Sequence, residues 1–317
     1  MSRRAVVTTC FALAFATTVP ATASAADQLH RLSLSPGVNL PYYATHPLTG
    51  SPDPTGAVIV IHGTGRNAKG YFDRMSEAAR EYGSKAEVVA PWFQTEEENP
   101  EKGDAYWTNG GSGSWKDGGG AESPEGLSSF EAVDHVVRVL ADKAKFPNLK
   151  RITIAGHSAG GQFTQRYAAG GKAPAEVNGV EITYVAANPS SYLYFDEKRP
   201  AAHDSCPGFN RYKYGLENRN AYMSALNDDR LRAQYTARKV TYLLGEDDVH
   251  QDHGIDDSCE AKAQGENRFE RGKAYSTTIH HDFPSAPHEL STVPGVGHDS
   301  DAMFNSANGK AAVFRGW

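Results

Sequence analysis

Short apolar runs alternate with longer amphipathic stretches along most of this chain. Ala57-Val58-Ile59-Val60-Ile61 is apolar without a break, the pattern of a strand covered on both faces in a parallel sheet. Arg151-Ile152-Thr153-Ile154-Ala155, the run from Val180 to Ala187 and the run from Val240 to Leu244 have the same character, and Glu87 to Ala90 is a shorter version. Leu32-Ser33-Leu34 and Leu40-Pro41-Tyr42-Tyr43 flank Ser35-Pro36-Gly37 and read as two strands around a turn. Helical spacing runs from Tyr71 to about Tyr82. It recurs in Ala132, Val133, Val136, Val137 and Leu140, behind a Ser128-Ser129-Phe130-Glu131 segment that resembles a capping box, and continues through Ala144. Alternation of this kind predicts an α/β fold: a mostly parallel sheet with helices on both faces and active groups at the carboxyl ends of its strands.

Two stretches break the rhythm. Gln94 to Gly126 is polar and Gly-rich, with Trp107 and Trp115 embedded in it either to line a pocket or to anchor the loop. Asn188 to about Lys239 is rich in tyrosine and proline. It is read as a lid-like insertion over residues 189–238, after the strand that follows Ser158 and its helix.

Composition adds an address. Arg3 and Arg4, the small and apolar run Ala5 to Val19, and Ala23-Ser24-Ala25 predict a signal peptide over residues 1–25, with a faint twin-arginine flavour in Ser2-Arg3-Arg4. Residues 26–317 then form one folded domain, and the expected location is extracellular. Removing Arg3 and Arg4 moves the formal charge from −6 to −8, so neither nucleic acid nor an anionic membrane surface is expected as partner. The apolar leader is too short for a stable membrane anchor. Cys10 leaves with the leader, and Cys206 and Cys259 remain to form one disulfide in an oxidising compartment.

The strand ending at Ala155 runs into Gly156-His157-Ser158-Ala159-Gly160 and then into a helix-compatible stretch. Strand, Gly-x-Ser-x-Gly turn and helix form the context of a nucleophile elbow, in which glycines permit a turn that holds the serine hydroxyl above the sheet. The Ala159 N–H, at the start of the following helix, points where an oxyanion would develop. His62-Gly63-Thr64-Gly65-Arg66-Asn67 follows the strand at Ile61, and the Thr64 N–H is the candidate second donor. A serine hydroxyl needs a base, and the base an orienting acid. Asp248, three residues beyond Gly245, is the candidate acid, with Asp247 as fallback. His298, in a small-residue loop, is the candidate base. The rivals are His250 and His253, beside the acid, and His280, His281 and His288, in or near a segment that reads as a late strand or hairpin.

Asp247, Asp248, Asp252, Asp256 and Asp257 lack the spacing of a calcium loop, and no zinc pattern accompanies them. They read as a solvated loop pinned by Cys259, with no metal. The chain carries neither a dinucleotide-binding Gly-x-Gly-x-x-Gly fingerprint nor a phosphate-binding loop, so no cofactor is expected.

These segments together resemble the α/β-hydrolase superfamily. More narrowly, the chain is similar to secreted actinobacterial serine hydrolases that carry His-Gly-Thr-Gly-Arg-Asn, Gly-His-Ser-Ala-Gly-Gly-Gln, Asn-Pro-Ser-Ser-Tyr and Gly-Val-Gly-His-Asp, here residues 62–67, 156–162, 188–192 and 295–299. The resemblance implies an α/β-hydrolase catalytic domain over residues 26–317, a triad of Ser158, Asp248 and His298, and carboxylic ester hydrolysis on small-molecule or polymeric esters. Thr64 stands where many lipases have another glycine, which argues against a lipase-type oxyanion loop. A peptidase or an acyltransferase would use the same triad, and a non-catalytic binding protein could keep the same fold.

Overall fold

The computed structural model describes residues 28–252 and 254–317. The signal-peptide reading, and with it Cys10, lies outside the described residues.

Eight strands form one sheet among the described residues: β1 His30–Ser35, β2 Val38–Ala44, β3 Gly56–Ile61, β4 Ala86–Pro91, β5 Arg151–His157, β6 Glu181–Ala187, β7 Lys239–Gly245 and β8 His288–Val293. Their spatial order is β1-β2-β4-β3-β5-β6-β7-β8. The two N-terminal strands pair antiparallel to each other, and β2 pairs antiparallel to β4. The other neighbours are parallel. Nine α-helices accompany them among the described residues: α1 Ala68–Tyr82, α2 Ser129–Ala141, α3 Ala159–Gly170, α4 Ala173–Glu176, α5 Asp228–Ala237, α6 Cys259–Lys262, α7 Arg268–Asp282, α8 Ser300–Asn305 and α9 Ala307–Phe314.

Strand β3 shows why the central strands are continuously apolar. Ala57, Ile59 and Ile61 point into one core with residues of α2, α3 and α7, whereas Val58 and Val60 point into a second core with α1, α8 and α9. Both faces are buried, so no position on the strand is left for a polar side chain. Register keeps the carboxyl ends level: Ile61 pairs with Gly156, His157 with Ala187, and Gly245 with Val293. The loops carrying His62, Ser158, Asp248 and His298 therefore leave along one edge of the sheet.

Two expected boundaries shift. Helix α1 starts at Ala68, where Asn67 Oδ1 accepts from Gly70 N at 2.9 Å. Helix α2 is capped by Ser128 as expected but stops at Ala141, because the Asp142 carboxylate takes the Ala144 N–H and turns the chain.

One segment is corrected. Residues 280 and 281, expected in a late strand or hairpin, belong to α7, and only His288 opens a strand. Asn267 caps this helix by accepting from Glu270 N, and its buried face is Arg268, Arg271, Gly272, Tyr275, Ser276 and Ile279. That spacing is helical, but the residues are mostly polar, so the pattern is invisible to hydropathy.

The two irregular stretches pack over α3, and all twelve residues of that helix are buried. Arg166, fully buried on α3, holds both stretches. Its guanidinium donates to Ser191 Oγ and to the Lys213 carbonyl, and it lies 3.6 Å from Asp117 Oδ1. Trp115 stacks flat on Phe93 with ring centres 5.5 Å apart, and Trp107 meets the same ring edge-on. Both tryptophans are fully buried anchors of their loop. Cys206 and Cys259 form a disulfide, which joins the second stretch to the start of α6.

Candidate active site

The turn after β5 is built by three close backbone approaches. A Cβ on Gly156 would lie 2.2 Å from the Gly160 carbonyl oxygen, one on Gly160 would lie 2.1 Å from Ile61 O, and one on Gly161 would lie 2.5 Å from Ala187 O. Only glycine fits between β3, β5, β6 and α3 at these points. Between them Ser158 adopts φ 60°, ψ −119°, a conformation rare for an L-residue, and its N–H is held by Ala187 O at 2.9 Å. Strain of this kind persists where neighbouring structure leaves no alternative, and it raises the hydroxyl to the head of α3.

Asp248 Oδ2 accepts from His298 Nδ1 at 2.7 Å, which leaves His298 Nε2 facing Ser158 Oγ at 2.9 Å. The Gly-x-x-Asp turn closes as its sequence suggests, with Asp248 N donating to Gly245 O at 3.1 Å. Asp247, the fallback acid, is exposed. Among the rival bases, His250 is exposed, His280 binds the Ser276 carbonyl within α7, and His281 pairs with Asp282 on the surface. His288 is buried between Tyr242 Oη and the Tyr235 carbonyl. His253 lies outside the described residues.

The loops that carry Asp248 and His298 are tied through Asn188. Its side chain accepts from Gly245 N at 2.8 Å and donates to Gly297 O at 3.2 Å. Asp247 N also reaches Val296 O. Behind the acid stands Arg268, fully buried, with Nη1 3.4 Å from Asp248 Oδ1 and Nε bound to Ser190 Oγ. Burial lowers the Arg268 pKa, and Asp248 pulls it back up. Sequence reading missed this residue because an arginine in a polar stretch carries no sign that it will be buried. The Asn267 cap and the 268, 271, 275, 279 spacing are the signals that could have exposed it.

His62 shapes the facing loop. Its Nε2 accepts from Phe93 N at 3.0 Å, so Nδ1 carries the proton toward Gly63 O, also at 3.0 Å. Burial pulls its pKa down to about 4, and the neutral ring is a fixed post between the ends of β3 and β4. Arg66, at φ 54°, grips the loop from outside by donating to Thr64 O, Glu98 and Glu97. His157 lies with its ring centre 4.5 Å from that of His298, and its Nδ1 is 3.2 Å from Tyr71 Oη. Burial, followed by the neighbouring charge of His298, holds His157 well below the ordinary histidine pKa. A cleft of about 450 Å³ opens above Ser158 and His298. Thr64, Arg66, Tyr71, Asp299 and Ser300 contribute to its walls, so the lining is polar rather than aliphatic.

In the acidic run after β7, Asp256 is bound by Lys213, Tyr214 and Ser258, whereas Asp247 and Asp257 are exposed. No helix among the described residues is long and apolar enough to cross a membrane.

No protein-family model matches the chain, and no curated protein matches it in sequence. Solved structures do. Poly(aspartic acid) hydrolase-1 from Sphingomonas sp. KT-1 superposes with a TM-score of 0.64 at 22% identity, over 90% of this chain and 97% of that one. LpqC, a poly(3-hydroxybutyrate) depolymerase from Bordetella parapertussis, superposes with a TM-score of 0.65 at 24% identity, over 92% of this chain and 91% of that one. Strand order, the strained serine between β5 and α3, and these two likenesses agree: the chain has the α/β-hydrolase fold.

Proposed function

We propose that this chain is an exported serine hydrolase that cleaves carboxylic esters through an acyl-enzyme. The observation that carries the reading is the unbroken path from Ser158 Oγ to His298 to Asp248, at 2.9 and 2.7 Å, on a serine held at positive φ.

As Ser158 Oγ attacks an ester carbonyl, His298 Nε2 takes its proton. Asp248 fixes the imidazole tautomer and stabilises the charged ring. The backbone N–H groups of Thr64 and Ala159 are the proposed oxyanion donors, and only their main chain matters for that role. His298 returns the proton to the leaving alcohol, then deprotonates a water that releases the acid from Ser158. Arg268 positions Asp248. His157, tilted against His298 and kept neutral, gives the base a neighbour that adds no competing charge.

Export is supported by the Cys206–Cys259 bridge, which suits an oxidising compartment. The test is the initial rate on 4-nitrophenyl acetate through decanoate, for the mature protein and for Ser158→Ala. A fall of roughly a thousandfold or more in kcat is expected for the variant, with the wild type favouring short chains because its cleft is polar. Equal rates in the two proteins would refute the mechanism.

A further inference from the structure

A second cleft adjoins the first. The segment from Asn109 to Asp117 turns sharply through Gly110 and Gly111, the latter at φ 72°, and faces the segment from Tyr212 to Asn220 across about 410 Å³. One hydrogen bond marks the border between the clefts: Thr64, which lines the catalytic cleft, donates Oγ1 to Asn109 Oδ1 at 3.4 Å, and Asn109 lines the second. The Asn109 carboxamide is itself fixed by Trp115 Nε1 at 3.3 Å, so the border is anchored in the aromatic core.

The charges of the second cleft do not balance. Lys213 Nζ is 2.9 Å from Asp256, which Tyr214 and Ser258 also bind. Asp117 has the buried Arg166 at 3.6 Å, although its Oδ1 accepts no hydrogen bond among the described residues. Each acid thus has its own cation, and Lys116 is left over. Among the described residues its ammonium makes no ion pair and no hydrogen bond, although the side chain is partly buried and lines the cleft. Burial chiefly lowers its pKa; Lys213 and Arg66 act in the same sense, and Asp117 and Asp256 oppose them. Ser114, buried in the same wall, has a hydroxyl with no partner among the described residues. A cation and a hydroxyl, both partly or wholly withdrawn from water and both unanswered, are the complement of one anionic oxygen group.

We propose that this cleft binds a carboxylate carried by the substrate, through Lys116 and Ser114, while the ester carbonyl sits at Ser158. The substrate class is then an ester with a free carboxylate set back from the scissile bond. The proposal rests on the serine-hydrolase reading of Ser158.

The kinetic test compares mono-4-nitrophenyl adipate with 4-nitrophenyl hexanoate, and the suberate hemiester with the octanoate. Each pair matches in chain length and differs by the terminal carboxylate. Wild-type protein should prefer the carboxylate member of at least one pair at low salt. In Lys116→Met the ratio of kcat/KM for the charged over the neutral ester should fall about tenfold, with the loss in KM. Lys116→Arg should keep the ratio. A wild-type protein that hydrolyses both members without preference, or a ratio untouched by Lys116→Met, would overturn the subsite and leave the esterase intact. If neither ester is hydrolysed, the esterase reading fails, and calorimetric titration with free adipate and suberate decides the subsite alone. Heat that is present in the wild type and weakened in Lys116→Met supports it; no heat in the wild type rejects it.

Discussion

Ser158 and Asp248 belong to one hydrogen-bonded chain, but the fold holds them by different means. Ser158 is fixed by backbone close to it: the glycines at 156, 160 and 161 let β3, β5, β6 and α3 approach until no Cβ fits. Asp248 is fixed by side chains from afar. Arg268 is 20 residues away, and Asn188 binds Gly245 from 57 residues away. A position built from steric exclusion fails abruptly when a methyl is added. One built from distant polar contacts weakens in steps.

The largest predicted effect breaks the steric half. Gly160→Ala would place a Cβ against the carbonyls of Ile61 and His62, atoms that cannot swing aside. The expected result is a protein at least about 3 kcal/mol less stable, or insoluble, with no measurable esterase rate. Soluble expression and thermal unfolding check it. Wild-type stability and activity in this variant would mean that the elbow is not sterically determined.

Next is the polar half. Arg268→Met leaves the buried Asp248 with a carboxylate oxygen deprived of its guanidinium, and breaking such a pair costs roughly 3–5 kcal/mol. Denaturant unfolding should show that loss. Steady-state kinetics should show kcat reduced about tenfold with KM little changed, because the variant disturbs the acid rather than the cleft. Arg268→Lys should recover part of kcat. A KM effect alone would show that Arg268 shapes the substrate site instead.

Protonation loads both halves at once. His62 and His288 are pulled down to about 4 and His157 well below its usual value, each mainly by burial. The unfolded chain therefore binds protons that the native state refuses below the ordinary histidine value of 6.5, and stability falls as pH drops from there toward 4. Glu87, buried on β4 against His46, runs the other way. Burial raises it from 4.5 to about 7, so the native state keeps a proton that the unfolded chain has lost, and stability falls as pH rises through that window. Three histidines outweigh one glutamate across this window, so thermal scans should show stability rising from pH 4 and levelling off by about pH 8. Relative to the wild type, Glu87→Gln should gain stability between pH 4.5 and 7, at most on the order of 3 kcal/mol. A difference that does not grow over that window would remove Glu87 as an opposing group.

The smallest effect is in the loop that carries His298. Gly295 has φ 70° with open space around its Cβ position. Gly295→Ala should thus cost about 1 kcal/mol of backbone strain and little activity, measured by the same unfolding and rate assays. A loss as large as that of Gly160→Ala would erase the contrast between the halves.

The same contrast explains what was legible in the sequence. The apolar runs of β3 and β5, the glycines around Ser158 and the Gly-x-x-Asp turn are local signals with local causes, and the structure follows them closely. Cys206 and Cys259 were readable because two thiols expected in an oxidising compartment have few other fates. Helix α7 was not readable, since its buried face is built from Arg268, Arg271, Tyr275 and Ser276 rather than from aliphatic residues. Nor was the burial of Arg166 on α3, whose partners Asp117, Ser191 and Lys213 come from two irregular stretches without periodicity. Trp107 and Trp115 could be placed only once Phe93 was seen between them.

The central claim is that Ser158 is a nucleophile activated by His298. The most direct measurement is covalent labelling with a fluorophosphonate ester, followed by peptide mapping. One adduct is expected, on Ser158, that forms within minutes in the wild type, is absent in Ser158→Ala, and slows by roughly a thousandfold in His298→Ala. An adduct elsewhere, or a rate on Ser158 indifferent to His298, would contradict it.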